Sequence, residues 1–256
     1  MEIRAIVPAA TLAFVILLAH TTAAVAADVK LLSVVGMRPV LPELVRQFEH
    51  ATGHKVTIQH GVSAALKRQI EAGEPFDLAI LTPALMDDLS AQGKIAGGTR
   101  AVIARSAMGV AVRAGAPRPD ISSVEAFKRA LLNVQSIAYA PEGPTGIHVA
   151  KVFERLGIAE AMKAKTKPQP SAERIPQAVA EGEAEFGFVA ISAILQVRGV
   201  EVLGPFPPEL QDYVVFVGGV GAAAKETEAG KALINFLRSE SAAAVMKVKG
   251  LERVAP

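Results

Sequence analysis

At three places in the chain, a short apolar, β-rich run gives way to a few small residues and then to a helix start. These are Val35-Gly36-Met37-Arg38-Pro39, His60-Gly61-Val62-Ser63 and Glu142-Gly143-Pro144-Thr145-Gly146. Strands that alternate with helices build a largely parallel sheet, because a parallel pair needs a crossover and the helix supplies it. The same places are where a ligand site is expected. Free backbone N–H groups and the positive end of the helix dipole favour an anion at a helix N-terminus.

The remaining periodicity extends the pattern. Lys30–Val35 reads as a strand, and Pro39 stands where a first helical turn tolerates proline. Val40, Leu44, Val45 and Phe48 follow at helical spacing up to Gly53. Lys55–Gln59 is a strand, Ala64–Ala72 a helix, Leu78–Leu81 a buried strand and Pro83–Gln92 a helix. Ile103–Arg113 reads as a long strand, and a new α/β unit begins after the loop 114–119. It holds helices at Val124–Leu132, Gly146–Leu156 and Ile175–Glu181 and strands at Ser136–Tyr139 and Phe186–Ile191. The run 204–208 punctuates again, then come a strand at Tyr213–Val220 and a helix at 228–237. Two long strands flanked by Pro/Gly loops predict a chain that crosses twice between two lobes, with a ligand cleft between them. The expected organisation is a leader at 1–26, the first part of one lobe at 27–108, a second lobe at 109–205, and a return strand with C-terminal helices at 206–256 packing on the first lobe.

The leader is legible by itself. Arg4 is a minimal positive start, 5–19 is an apolar stretch broken only by Pro8 and Thr11, and Ala24-Val25-Ala26 fits a small-x-small cleavage site. The stretch is shorter than the ~20 residues of a membrane span, so a cleaved secretory signal peptide and a periplasmic mature chain are expected. The absence of cysteine is compatible with export and removes thiol nucleophiles and Cys-based metal sites.

Composition excludes several classes. With 51% hydrophobic and 20% charged residues the chain is globular. Its net charge is +2, and its densest basic run, Lys163-Ala164-Lys165-Thr166-Lys167, has no aromatic residue among the lysines. That is a solvated helix end, and no nucleic-acid partner is expected. Gly219-Val220-Gly221-Ala222-Ala223-Ala224 matches a dinucleotide fingerprint, yet no second strand ending in an acid follows it. His50 and His54 have the spacing of a metal pair, but Gly53 breaks the helix between them, and no metal or cofactor is expected. No G-x-S-x-G elbow is present. At the three loops, Ser63 and Thr145 are cap-type residues whose hydroxyls can donate, and Arg38 offers a bidentate donor pair to an oxyanion.

The segment 62–73 (VSAALKRQIEAG) followed by Pro75-Phe76-Asp77-Leu78-Ala79-Ile80 closely resembles the periplasmic molybdate-binding proteins, type II solute-binding components of ABC transporters. Thr145-Gly146-Ile147, Leu156-Gly157 and Gly182-Glu183-Ala184-Glu185-Phe186-Gly187 are similar to further stretches of that family. The resemblance implies a two-lobed periplasmic binding protein fold, a small anionic ligand, an inner-membrane ABC permease as partner, no cofactor and a monomer. That family holds its tetrahedral oxyanion with two serines, two backbone N–H groups and a tyrosine. Ser63 matches one serine, and Thr145 falls where a backbone donor is expected. The other serine position is Gly36, the tyrosine position is Ala190, and the fourth donor falls within Ser171–Ile175, which contains Arg174. Charged hydrogen bonds are worth about 1.5–3 kcal/mol each, so the two missing hydroxyls favour a larger anion that reaches Arg38. The candidate ligand contacts are Gly36, Met37, Arg38, Ser63, Thr145, Gly146, Arg174 and Ala190.

The segment 111–121 (AVRAGAPRPDI) and Ser136-Ile137-Ala138-Tyr139 look like a divergent branch of the same family. That branch includes an exported aconitate isomerase, which implies an alternative: interconversion of cis- and trans-aconitate by cofactor-independent proton transfer. A base near neutral pKa would be required, and His60 and His148, each beside a candidate anion loop, are the candidates.

Overall fold

The computed structural model describes residues 26–142 and 144–254. The expected leader at 1–26 lies outside the described residues except for its last position.

The first lobe opens with β1 (Asp28–Val34), α1 (Leu41–Thr52), β2 (Lys55–Gly61), α2 (Ser63–Glu71), β3 (Leu78–Leu81) and α3 (Pro83–Ala91). The long β4 (Ala101–Arg113) leaves it. Beyond β4 come α4 (Val124–Asn133), β5 (Ile137–Tyr139), α5 (Pro144–Arg155), α6 (Ala159–Lys163) and β6 (Thr166–Pro168). Then follow α7 (Arg174–Glu181), β7 (Phe186–Ala190), α8 (Ile191–Ile194) and β8 (Val200–Pro205). The chain returns through β9 (Tyr213–Val220), α9 (Thr227–Leu237), α10 (Glu240–Val248) and β10 (Glu252–Arg253).

The strands form one curled sheet in the order β2-β1-β3-β9-β4-β7-β5-β6, with β8 and β10 also paired to β4. β1 runs parallel to β2 and β3, and β5 runs parallel to β6 and β7. β4 divides its partners. Ala101–Ala107 pair with β9, and Met108–Arg113 pair with β7 and β8. One core gathers Leu31, Phe48, Leu66, Ile80, Phe216, Leu233 and Met246. A second gathers Met108, Phe127, Ile137, Phe153, Phe188 and Phe206, with aromatic rings in edge and tilted contact at 5.0–6.4 Å. A third, built on Ile175, Val179 and Ile194, covers the other face of β5 and β7. The fold is a two-lobed α/β architecture with the cleft between the lobes.

At the crossing, the Met108 N–H donates to the Asp212 carbonyl at 2.9 Å and to Gln211 Oε1 at 2.9 Å, while Gln211 Nε2 donates to the Met108 carbonyl at 3.1 Å. The outgoing and returning strands are thus tied side by side where the lobes meet.

Several local expectations are revised. Pro39 precedes α1, and the proline in its first turn is Pro42. α2 begins at Ser63, with Val62 as its extended N-cap. Gly204 and Pro205 end strand β8. The short β6 and β10, together with α6, β8 and α10, are additional. No helix among the described residues is long and apolar enough to cross a membrane.

Candidate functional site

The C-terminal ends of the parallel strands of both lobes open into one cleft of about 1450 Å³. From the first lobe come Val34-Val35-Gly36 after β1, Gly61-Val62-Ser63 after β2 and Thr82-Pro83-Ala84 after β3. From the second come Ala140-Pro141-Glu142 and Thr145 after β5, Pro168–Glu173 after β6 and Val189-Ala190 at the end of β7. In open α/β sheets, ligands sit outside the carboxyl ends of strands, because successive loops and helix N-termini converge there.

Ser63 stands one residue inside α2, so the Val62 backbone takes the capping position and the Ser63 hydroxyl bonds to nothing among the described residues. Thr82 is the extended N-cap of α3 ahead of Pro83, and its hydroxyl makes no cap bond either. Both residues line the cleft, and neither hydroxyl is committed to a bond among the described residues. Thr145, in the first turn of α5, is half-buried in the opposite wall. Gly36 and Ala190 line the cleft and carry no donor side chain.

The other sequence candidates lie elsewhere. Met37 is fully buried in the first lobe's core. Arg38 is exposed, at the end of a short 3-10 turn outside the cleft. Arg174 begins α7 but pairs with Glu181 at 2.7 Å and Glu183 at 2.6 Å, away from the cleft lining. Gly146 is buried behind the lining. The Ala140 carbonyl oxygen lies 1.8 Å from where a Cβ on Gly146 would stand, so only glycine lets α5 approach the end of β5 so closely.

Among the described residues, no Lys, Arg or His lines the cleft. Glu142, Glu173 and Asp212 are exposed at its rim. The interior is mostly apolar, with Val35, Leu85, Met108, Val189 and Phe216. Its polar groups are neutral hydroxyls and amides, which include Gln169, Ser171, Gln177, Ser192 and Gln196. Ser171 belongs to the segment Ser171–Ile175 where the fourth donor is expected, while sequence reasoning missed the three glutamines, Ser192 and Thr82. The Thr-Pro that follows the buried strand β3 is a helix-start signal of the same kind as Ser63, whereas the glutamines carry no signal of their own.

Neither candidate base lines the cleft. His60 is half-buried, and its Nδ1 is sealed from solvent without a hydrogen bond. Burial, and then the Arg38 charge, push its pKa below the ordinary 6.5, against the backbone of Ser33 and Val34, which favours the protonated ring. His148, on α5, sets Nε2 2.8 Å from the Leu210 carbonyl and Nδ1 3.6 Å from Asp212, with its ring packed beside Phe206. It ties α5 to the segment that leads into β9. His54 Nδ1 accepts from the Ala27 N–H at 3.1 Å, which gives that ring a structural bond. No cluster of three His, Cys, Asp or Glu able to hold a metal occurs among the described residues.

Comparison with known proteins agrees with this geometry. The family model of bacterial extracellular solute-binding proteins matches residues 29–252. An aconitate isomerase from a Pseudomonas species is 32% identical over 93% of this chain and 94% of its own. The molybdate-binding protein of Azotobacter vinelandii is 30% identical over 89% of this chain and 91% of its own. A solved substrate-binding domain from Clostridium difficile, assigned to a molybdenum ABC transporter, shares the fold. It superposes with a TM-score of 0.80 at 20% identity, covering 90% of this chain and all of its own. Fold and sequence agree, and the chain belongs to the bacterial extracellular solute-binding protein family.

Proposed function

We propose that the chain captures a small organic anion, a polycarboxylate ahead of a bare tetrahedral oxyanion, and delivers it to an ABC permease. The supporting observation is the composition of the cleft. Residues with uncommitted hydroxyls at helix starts, Ser63 and Thr82, line a mostly apolar interior, while Gly36 and Ala190 carry none of the hydroxyls that would encircle a compact oxyanion. Helix dipoles and neutral donors hold an anion without a cation, and the apolar walls suit a carbon skeleton. Arg38 and Arg174 take no direct part in this binding. The segments 27–108 and 206–256 act as one body and 109–205 as another, closing on the ligand about the crossing at Met108 and Gln211. In this reading the leader at 1–26 is removed on export, and the mature chain works in the periplasm and meets its permease as a monomer.

A second reading rests on the 32% identity to an aconitate isomerase. In it the same cleft holds cis- or trans-aconitate and a base moves one proton. His60 or His148 must then swing into the cleft, or a rim carboxylate (Glu142, Glu173 or Asp212) must take that part.

A thermal-shift panel on the mature chain with molybdate, tungstate, sulfate, citrate and cis- and trans-aconitate tests both. A ligand at a hundred times its Kd adds about 2.7 kcal/mol. A shift with a carboxylate supports capture, and proton NMR of aconitate incubated with the chain separates binding from turnover. No shift with any of the six rejects the anion.

A further inference from the structure

Gln177 lies on α7, which rests flush on β7. At Gly187, the Ile175 and Val179 methyl groups stand 2.8 Å from where a Cβ would be. Ile175, Pro176, Ala178 and Val179 of that helix are buried, and Gln177 lines the cleft in the same wall as Val189 and Ala190. Its Oε1 is sealed from solvent and accepts no hydrogen bond. Nε2 likewise donates to nothing among the described residues. The two other glutamines of that wall are committed. Gln169 Nε2 donates to the Lys167 carbonyl at 3.4 Å, and Gln196 Nε2 donates to the Ser192 carbonyl at 2.9 Å.

An unbonded buried acceptor costs the folded chain and calls for an explanation. Nε2 is not among the sealed atoms, so the carboxamide turns its oxygen inward and leaves its uncommitted amide donors as the end that the cleft can reach. No Lys, Arg or His among the described residues lines the cleft, and that uncommitted amide is a side-chain donor that α7 offers to it. We propose that Gln177 is a specificity-determining ligand contact, whose N–H groups donate to an oxygen of the bound anion and complete from the second lobe the set that Ser63 and Thr82 begin in the first. The inference rests on the anion reading above and narrows it to a carboxylate long enough to touch both walls.

Isothermal titration with citrate, cis- and trans-aconitate and molybdate tests it, on wild type, Gln177→Leu, Gln177→Glu and Ser63→Ala, with the melting temperature of each empty chain. Gln177→Leu is expected to raise the melting temperature of the empty chain, since the orphaned acceptor is gone, and to weaken the bound probe at least tenfold. Gln177→Glu keeps the size and sets a carboxylate against the anion, so a loss of a hundredfold or more is expected, and this variant carries the test if the leucine does not fold. Binding by Gln177→Leu within twofold of wild type, while Ser63→Ala is weakened, overturns this inference alone. A joint loss of stability and binding in Gln177→Leu, with Gln177→Glu binding like wild type, marks a structural residue and also overturns it. Failure of the wild type to bind any of the four overturns the anion reading and this inference with it.

Discussion

The Phe216 ring occupies the space in front of Gly36. Its Cε1 and Cζ lie 2.7 and 2.8 Å from where a Cβ on Gly36 would stand. Phe216 is only 3% exposed, yet it lines the cleft from the returning strand β9. Residue 36 therefore cannot carry a hydroxyl toward the ligand while this ring is in place, so the glycine and the phenylalanine form one unit.

Gly36→Ala must displace the Phe216 ring, which is part of the cleft lining. The expected cost is about 1–3 kcal/mol, as for other overpacked sites, together with weaker ligand binding. In a Phe216→Val background the same substitution should cost at least about 0.5 kcal/mol less, because contacting residues couple. Denaturant titration of the four chains of this cycle checks it, and strict additivity would remove the coupling.

A second glycine is constrained by backbone instead of by a ring. Gly146→Ala brings a Cβ onto the Ala140 carbonyl oxygen, which no rotamer relieves. The cost should lie at or above the ~3 kcal/mol that overpacking usually reaches. Gly157 offers the comparison: it has φ of +66° and open space around it, so Gly157→Ala should cost only the ~1–2 kcal/mol of a left-handed residue. Urea midpoints of the two variants test the order, which reverses if α5 can slide away from β5.

His60 makes the chain sensitive to acid. Its pKa in the folded chain is lowered by burial and by Arg38, so the unfolded chain binds more protons just below pH 6.5. Stability is then full above the ordinary value and is lost as pH falls from there through the lowered folded value. Between pH 7.5 and 5, wild type should lose more melting temperature than His60→Asn. Parallel profiles would mean that the buried Nδ1 does not resist protonation.

Most of the fold was legible because its elements are periodic and punctuated. β3 reads as an apolar run, and α1 shows its core face at Leu44, Val45 and Phe48 before Gly53. The elements left unread owe their existence to partners. β6 and β10 are three and two residues long and form by pairing with β5 and β4. Pro205 reads as a break, yet it closes β8 opposite Gly109, at a strand end where a missing donor costs little. The loops that meet in the cleft were legible for the same reason as the fold, as strand ends before helix starts. Side-chain direction was not. Sequence places Met37, Arg38 and Arg174 beside those loops, but packing buries the first, leaves the second outside, and holds the third to Glu181 and Glu183. Gln177 was missed because a lone glutamine on a helix carries no spacing signal.

The most direct test is calorimetric titration of the mature chain with citrate, trans-aconitate and molybdate, beside a Ser63→Ala/Thr82→Val variant. Neither hydroxyl holds the fold together, so the variant should melt with wild type, within the ~0.5 kcal/mol of ordinary surface changes. Wild type should bind a carboxylate and the variant should bind it at least tenfold more weakly. Equal binding by the two chains, or no binding by the wild type, would contradict an anion held at the helix starts of the cleft.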